Sequence, residues 1–253
     1  MSQQENAKKF QGLHAAGNPL VLYNIWDAGG AKALQKAGAA AVATGSWSVA
    51  SAQGYRDGEQ IPLDLLVTIA ERIVASVDIP VTIDFEGAYS GNPEEVASNV
   101  FRLIDAGVVG INFEDQLVGG SGLYEIADQT ARVAAIREAA TKAGVDFFIN
   151  ARTDIFLKAE SSEVHQELVE EALVRNKAYA EAGASGFFVP GLVDTGLIKT
   201  VCEQSTVPVN VMMMKGVGSI KELSSVGVSR ISYGPMPYAK SIGDLTKRFA
   251  DLG

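Results

Sequence analysis

The chain has a single cysteine, Cys202, and only two histidines, His14 and His165. One thiol cannot close an internal disulfide, and without paired Cys or clustered Cys and His there is no zinc site to read. His14 lies near the start and His165 on what reads as a surface helix, so neither ends a predicted strand and histidine acid–base chemistry is disfavoured. Basic residues are the minority, 21 Lys and Arg against 30 Asp and Glu for a net charge of −9. With no Lys/Arg-rich tract to override that charge, nucleic acid is not an expected partner. No apolar run reaches membrane-spanning length, and MSQQENAKKF lacks the apolar stretch and cleavage site of a secretion signal. A reducing cytoplasm is the expected setting. No linker or low-complexity tract divides the chain, so one domain over residues 1–253 is expected.

What is present is a repeated pattern: a helix-like stretch ends in a small residue and Gly, then climbs into an apolar strand that closes on polar residues. KAGAAAVATGS from Lys36, DAGVVGINFED from Asp105, KAGVDFFINAR from Lys142, EAGASGFFVPG from Glu181 and SVGVSRISYGP from Ser225 are the five copies. Gly38, Gly107, Gly144, Gly183 and Gly227 read as helix stops. NPLVLYNIWD from Asn18, IPVTIDFE from Ile79 and VPVNVMM from Val207 open three more strands behind a proline. The intervening segments carry helical spacing, as in Val96, Val100 and Leu103, Val133, Ile136 and Ala140, or Val164, Leu168 and Ala172. Eight strands alternating with helices predict a parallel sheet closed into a (β/α)8 barrel, and 253 residues is a usual size for one. An open doubly wound sheet is the alternative, but DAGGAKAL after the first strand does not supply its GxGxxG.

Barrel enzymes build their sites from the C-terminal strand ends, and here those ends are acidic. The third closes on Asp84 and Glu86, which a two-residue period places on one side, the fourth on Glu114 and Asp115, and the fifth on Arg152 and Asp154. Converging carboxylates repel unless a cation or shared protons neutralise them, and oxygen-only ligands favour Mg²⁺, with Mn²⁺ as the other candidate. The competing reading is that these acids cap helices and pair with Arg or Lys. TGSWS, Thr44 to Ser48, closes the second strand with a Gly between hydroxyl residues, where backbone N–H groups can approach an anion. Cys202 reads as a structural thiol on the opposite rim, and Met212 to Met214 as core and pocket wall.

These residues resemble the isocitrate lyase and phosphoenolpyruvate mutase superfamily, from NIWDAGGAKAL at Asn24 to RISYGP at Arg230. TGSWSVASAQGYRDGE is similar to the family's carboxylate-binding turn and Gly-x-x-Asp segment, DFEGAYSG to its Asp-x-Asp-x-Gly-Tyr-Gly signature, and GINFEDQ and NARTD extend the match. The resemblance implies that Asp84 holds Mg²⁺ largely through waters shared with Asp57, Glu86 and Glu114. It implies that Thr44, Gly45 and Ser46 hold the substrate carboxylate and that Arg152 reaches the oxygen developing charge. Arg152, Glu114 and Asp57 are thus candidate catalytic residues, and Asn210 in the seventh strand is a further candidate substrate contact. A last helix exchanged between subunits of a dimer or tetramer is implied as well.

Two departures matter. Glu86 replaces the second Asp of the signature, and the loop after Glu114 reads DQLVGGSGLY, without the Lys-Lys-Cys-Gly-His run of the family's lyases or the Lys- and Asn-bearing lid of its phosphonate mutases. Cleavage of isocitrate or methylisocitrate, which uses a thiol on that lid, is therefore not expected. The expected activity is a Mg²⁺-dependent lyase on a small 2-oxo or 2-hydroxy carboxylate, the resulting enolate meeting the metal and Arg152. Carbon–phosphorus chemistry on a phosphonopyruvate-type substrate, or 2-oxo acid binding without turnover, are the alternatives. Gln116 to Tyr124, with Gly119, Gly120 and Gly122, has the composition of a closing flap.

Overall fold

The computed structural model describes residues 2–252. Eight parallel strands are present where the repeat places them: β1 (Leu20–Leu22), β2 (Val42–Ala43), β3 (Val81–Asp84), β4 (Gly110–Glu114), β5 (Phe148–Arg152), β6 (Gly186–Phe188), β7 (Val209–Met212) and β8 (Arg230–Ser232). Their order is β1-β8-β7-β6-β5-β4-β3-β2. The seam between β1 and β2 closes just past the strands, where Ile25 bridges Thr44 and the Ile25 N–H donates to the Ala43 carbonyl at 2.8 Å. The chain is thus a (β/α)8 barrel.

The helices are α1 (Gln3–Gly12), α2 (Ala28–Lys36), α3 (Ser46–Ala52), α4 (Leu63–Val74), α5 (Pro93–Asp105), α6 (Ile126–Ala143), α7 (His165–Glu181), α8 (Thr195–Gln204), α9 (Ile220–Ser225) and α10 (Met236–Ala250). Each of the five expected stop glycines follows its helix at positive φ. Gly183 shows the need most clearly: φ is +105°, and a Cβ there would lie 2.7 Å from Arg137 Cγ. Asn92 caps α5 by accepting the Glu95 N–H at 3.0 Å, with Pro93 in the first turn. Val96, Val100 and Leu103 of α5, and Val133, Ile136 and Ala140 of α6, face the sheet as their spacing predicts.

In α7 Ala172 is buried as expected and Leu168 packs partly on the core, but the fully buried face also takes in residues one position on from Val164 and Leu168. His165, Val169, Ala172, Asn176 and Tyr179 turn inward, while Val164 lies in a short 3₁₀ turn ahead of the helix. His165 is consequently buried against Phe156 instead of lying on a surface face. Polar side chains occupy this stripe because they find partners there. Asn176 donates to the Ser205 hydroxyl at 3.0 Å, and neighbouring Arg175 donates to the Tyr124 carbonyl at 3.0 Å.

Helix α1 covers the N-terminal end of the barrel. Phe10 packs edge-on against Phe148, with centroids 5.4 Å apart, and His14 stacks on Phe148 at 4.0 Å. Above this aromatic floor the interior is polar, since Asn112 Oδ1 accepts from both Asn150 Nδ2 and Arg230 Nη2 at 2.9 Å. Cys202 is half-buried in α8, and burial pushes its thiol up to about 12, as expected for a structural cysteine.

Helix α10 leaves its own barrel. Every residue from Lys240 to Ala250 is exposed, including Leu245 at 64% and Phe249 at 76%. On the barrel wall the outward side chains Val21 and Tyr23 of β1 and its extension are exposed in turn, at 40% and 42%. No helix among the described residues is long and apolar enough to cross a membrane.

Candidate active site

A cavity of about 620 Å³ opens at the C-terminal ends of the strands. Gly45, Ser46, Asp57, Asp84 and Arg152 line it, as does Asn112, which the motifs alone did not assign. Thr44, Glu86, Glu114 and Asn210 lie behind its wall. The Thr44 hydroxyl accepts the Asp84 N–H at 2.9 Å and so fixes the β3 end, and the Asn210 amide donates to the Ser232 hydroxyl at 3.1 Å.

Asp84 is oriented through both carboxylate oxygens: Oδ2 accepts the Ser46 N–H at 2.9 Å and Oδ1 accepts Asn112 Nδ2 at 3.1 Å. β3 ends at this residue, so the strand period does not carry on to Glu86. The backbone turns instead, with Glu86, Ala88 and Tyr89 at φ of 50°, 61° and 62°. Non-glycine residues at positive φ cost of order 1–3 kcal/mol each and persist only where neighbours hold them. Arg132 does so by donating to the carbonyls of Gly87 at 2.5 Å and Ser90 at 3.0 Å, and Glu59 by accepting the Tyr89 N–H at 2.7 Å. The turn seats Glu86 on the Glu59 N–H at 3.0 Å.

The acids divide into two groups. Asp115, Asp154 and Glu114 have cationic partners: Asp115 accepts from Tyr179 at 2.9 Å and pairs with Arg175 at 3.3 Å, while Arg152 bonds Asp154 at 2.5 and 2.9 Å and Glu114 at 2.9 Å. For these three the paired-acid reading of the sequence holds. Asp57, Asp84 and Glu86 have no salt bridge among the described residues. Burial raises Asp57 and Glu86, Glu86 to about 9, and the surrounding carboxylates push both further in the same direction. Burial also raises Glu114, with Arg152 acting against it. Burial alone would lower Arg152, but Glu114, Asp154 and Asp84 outweigh it and hold the guanidinium above its ordinary value.

Three unpaired, mutually repelling carboxylates beside an open cavity form an oxygen donor set suited to a hard cation. No three acids among the described residues converge closely enough to grip an ion by themselves. Mg²⁺ dehydrates reluctantly and uses one or two carboxylates plus waters, and Asp57 and Asp84 are the carboxylates on the cavity wall. Arg152 has five N–H donors, donates two to Asp154 and sets Nη1 beside Glu114 as an ion pair at 2.9 Å, so N–H capacity remains at the cavity wall.

Some contributors carried no sequence signal. Asn24 donates to the Thr44 carbonyl at 2.7 Å and accepts the Tyr233 and Gly234 N–H groups at 2.9 Å each, tying the β1 end to the loop after β8. Trp47, Leu157 and Phe188 supply an apolar wall together with Met212 to Met214, which the sequence already marks as pocket wall. Gln116 to Tyr124 forms a small hairpin, Leu117 N–H to Gly122 carbonyl at 3.1 Å and Tyr124 N–H to Asp115 carbonyl at 2.7 Å, with the Gln116 amide on Glu114.

The family model described as phosphoenolpyruvate phosphomutase matches residues 10–252. A solved structure from Burkholderia cenocepacia J2315, provisionally described as a phosphonomutase, is 45% identical, with a TM-score of 0.97 and 100% of both chains covered. An uncharacterized Mycobacterium tuberculosis protein is 31% identical over 92% of this chain and 84% of its own length. The 2,3-dimethylmalate lyase of Eubacterium barkeri is 32% identical over 72% of this chain and 62% of its own length. With nearly the whole chain matched, and with relatives that are lyases and mutases of small carboxylates, this protein belongs to the isocitrate lyase and phosphoenolpyruvate mutase superfamily of enzymes.

Proposed function

We propose that this chain is a Mg²⁺-dependent carbon–carbon lyase or decarboxylase acting on a small 2-oxo or 2-hydroxy carboxylate. The observation that carries the reading is the unpaired trio Asp57, Asp84 and Glu86 beside the free N–H groups of Arg152. Asp84, with Asp57, Glu86 and Glu114 behind it, would hold the ion through its water shell. A bound Mg²⁺ supplies Lewis-acid polarisation of the 2-oxygen and an anchor for the carboxylate.

The protein's own groups do the remainder. The Ser46 and Asn112 hydrogen bonds fix the direction of Asp84 before substrate arrives. The Gly45 and Ser46 N–H groups are already donated to the Ile25 carbonyl and to Asp84, so the Arg152 donors not used on Asp154 are the ones that meet the oxygen on which charge develops. Glu114 and Asp154 keep that guanidinium in one orientation. The hairpin after Glu114 carries no Cys, Lys or His, so isocitrate-type cleavage by a lid thiol is not proposed.

The phosphonomutase description of the 45% identical structure favours carbon–phosphorus chemistry as a second reading. Proton and phosphorus NMR of the protein with oxaloacetate and a panel of 2-oxo, 2-hydroxy and phosphonate acids, with Mg²⁺ and with excess chelator, separates the readings. Chelator-sensitive carbon–carbon cleavage above the metal-only blank is expected. Phosphonate turnover alone would select the second reading, and binding without product would select a non-catalytic protein. We also propose that α10 packs on the wall of a second copy, because it is exposed from Ala239 to Ala250 while the outer face of β1 is uncovered.

A further inference from the structure

The cavity has a second polar sector, facing Arg152. Strands β8, β1 and β2 are contiguous in the ring, and β5, which ends in Arg152, stands across from β1. Ser232 closes β8, Asn24 follows β1 and Ser48 lies in α3 after β2, and all three line the cavity. Two of them are engaged. Asn24 is bonded to Thr44, Tyr233 and Gly234, while Ser232 and Asn210 exchange hydrogen bonds at 3.1 and 3.3 Å. Ser48 is 1% exposed, and among the described residues its hydroxyl is the one buried side-chain group on this wall without a partner. A buried hydroxyl without a partner opposes folding, so its place on a cavity wall fits a bond made to a ligand. Gly45 leaves room for that bond: a Cβ there would lie 3.5 Å from Ser48 Oγ and from the Gly234 carbonyl oxygen. The Ser46 N–H donates to Asp84 at 2.9 Å, and Ser48 is two residues further along α3, about 5–6 Å between Cα atoms, so a short acid held at Asp84 spans the distance.

Each carbon–carbon cleavage that leaves its electron pair on C3 puts oxygen on C4. In a 2-oxo acid the C3–C4 bond breaks and the pair stays on C3 as the enolate. C4 then departs as CO₂ from a carboxylate, or as a carbonyl from a carbinol whose hydroxyl proton passes to water. In a 2-hydroxy acid the C2–C3 bond breaks, C2 becomes the carbonyl as its hydroxyl proton passes to water, and a C4 carboxylate delocalises the pair on C3. Either way C3 afterwards takes a proton from water. The substrate's own carboxylate and 2-oxygen are taken by Mg²⁺ and Arg152 in the proposed reaction, so the C4 oxygen needs a separate donor. We infer that the Ser48 hydroxyl is that donor and selects substrates oxygenated at C4, as a carboxylate or as a hydroxyl. This rests on the lyase reading and names a specificity residue of that site.

The experiment is calorimetry, with Mg²⁺ and with excess chelator, of oxalate and of racemic 2-hydroxybutanoate, 2,4-dihydroxybutanoate and malate on wild type and Ser48→Ala. Oxalate has no C4, and the three hydroxy acids differ only there. Wild type should bind 2,4-dihydroxybutanoate or malate more tightly than 2-hydroxybutanoate. Ser48→Ala should lose about three- to tenfold of that preference, the worth of one net hydrogen bond, while binding oxalate and 2-hydroxybutanoate as wild type does. Which of the two oxygenated acids loses affinity tells a C4 hydroxyl from a C4 carboxylate. Because the hydroxyl has no partner within the protein, its removal should leave the urea midpoint unchanged or raised. No preference in wild type, a preference that persists in Ser48→Ala, or an equal loss for oxalate overturns the inference, while Mg²⁺-dependent oxalate binding by wild type leaves the lyase reading standing. Absence of Mg²⁺-dependent oxalate binding overturns both.

Discussion

Replacing Arg152 with methionine removes a guanidinium held by two charge-assisted hydrogen bonds to Asp154 and an ion pair to Glu114, two acids whose side chains are each 2% exposed. Methionine preserves most of the volume, so the loss is electrostatic and no large cavity opens. Two buried carboxylates remain without their cation, and breaking a buried pair by deleting one partner costs about 3–5 kcal/mol. The lower end is expected, because burial already raises Glu114 and it can take up a proton. With a urea slope near ~3 kcal/mol/M, the unfolding midpoint followed by circular dichroism at pH 8 should fall by roughly 1 M. The loss should shrink at pH 6, where Glu114 protonates more readily. Arg152→Lys should recover only part of it, since an ammonium cannot bond both acids in the same fork. Adding Glu114→Gln and Asp154→Asn to the methionine variant should recover most of it. A midpoint change under roughly 0.3 M for Arg152→Met would refute the reasoning.

Two further outcomes follow from groups away from the site. Burial, and secondarily Arg230, lowers His14 to about 3, so the unfolded chain takes up the proton first as pH falls below 6.5. Its contribution is complete above pH 6.5 and is lost toward pH 3. Wild type should therefore lose about 2 kcal/mol more than His14→Phe between pH 7 and pH 5 in urea titrations, and equal losses would contradict the burial argument. For α10, Leu245→Glu with Phe249→Glu should shift the species seen by sedimentation toward the monomer, and an unchanged oligomer would remove the proposed exchange.

The barrel was legible because its signals are local. Gly stops and apolar strands recur along the sequence, and Pro19, Pro80 and Pro208 stand just ahead of β1, β3 and β7. Asp84 and Arg152 were legible because they close their strands. Glu86 was placed by a strand period that ends at Asp84, and the left-handed turn that seats it depends on Arg132, 46 positions further on. Thr44 and Asn210 look like ligand contacts in sequence, but their side chains are taken by the Asp84 N–H and Ser232. Arg230 gave no signal at all. A charged residue in a strand reads as outward-facing, and only the closed ring buries it on Asn112, where burial pushes it down to about 9. The buried face of α7 was legible at Ala172 and in part at Leu168, but not at His165 and Asn176, which pass for surface residues until their partners are known.

Oxalate calorimetry on wild type and Asp84→Asn tests most directly whether the strand-end carboxylates hold a divalent cation that a substrate can chelate. Oxalate is expected to bind wild type at one site per chain with Mg²⁺ and not in excess chelator, and Asp84→Asn is expected to lose that binding while keeping the wild-type circular dichroism. Binding of oxalate that is unchanged by chelator, or unchanged in Asp84→Asn, would contradict the account.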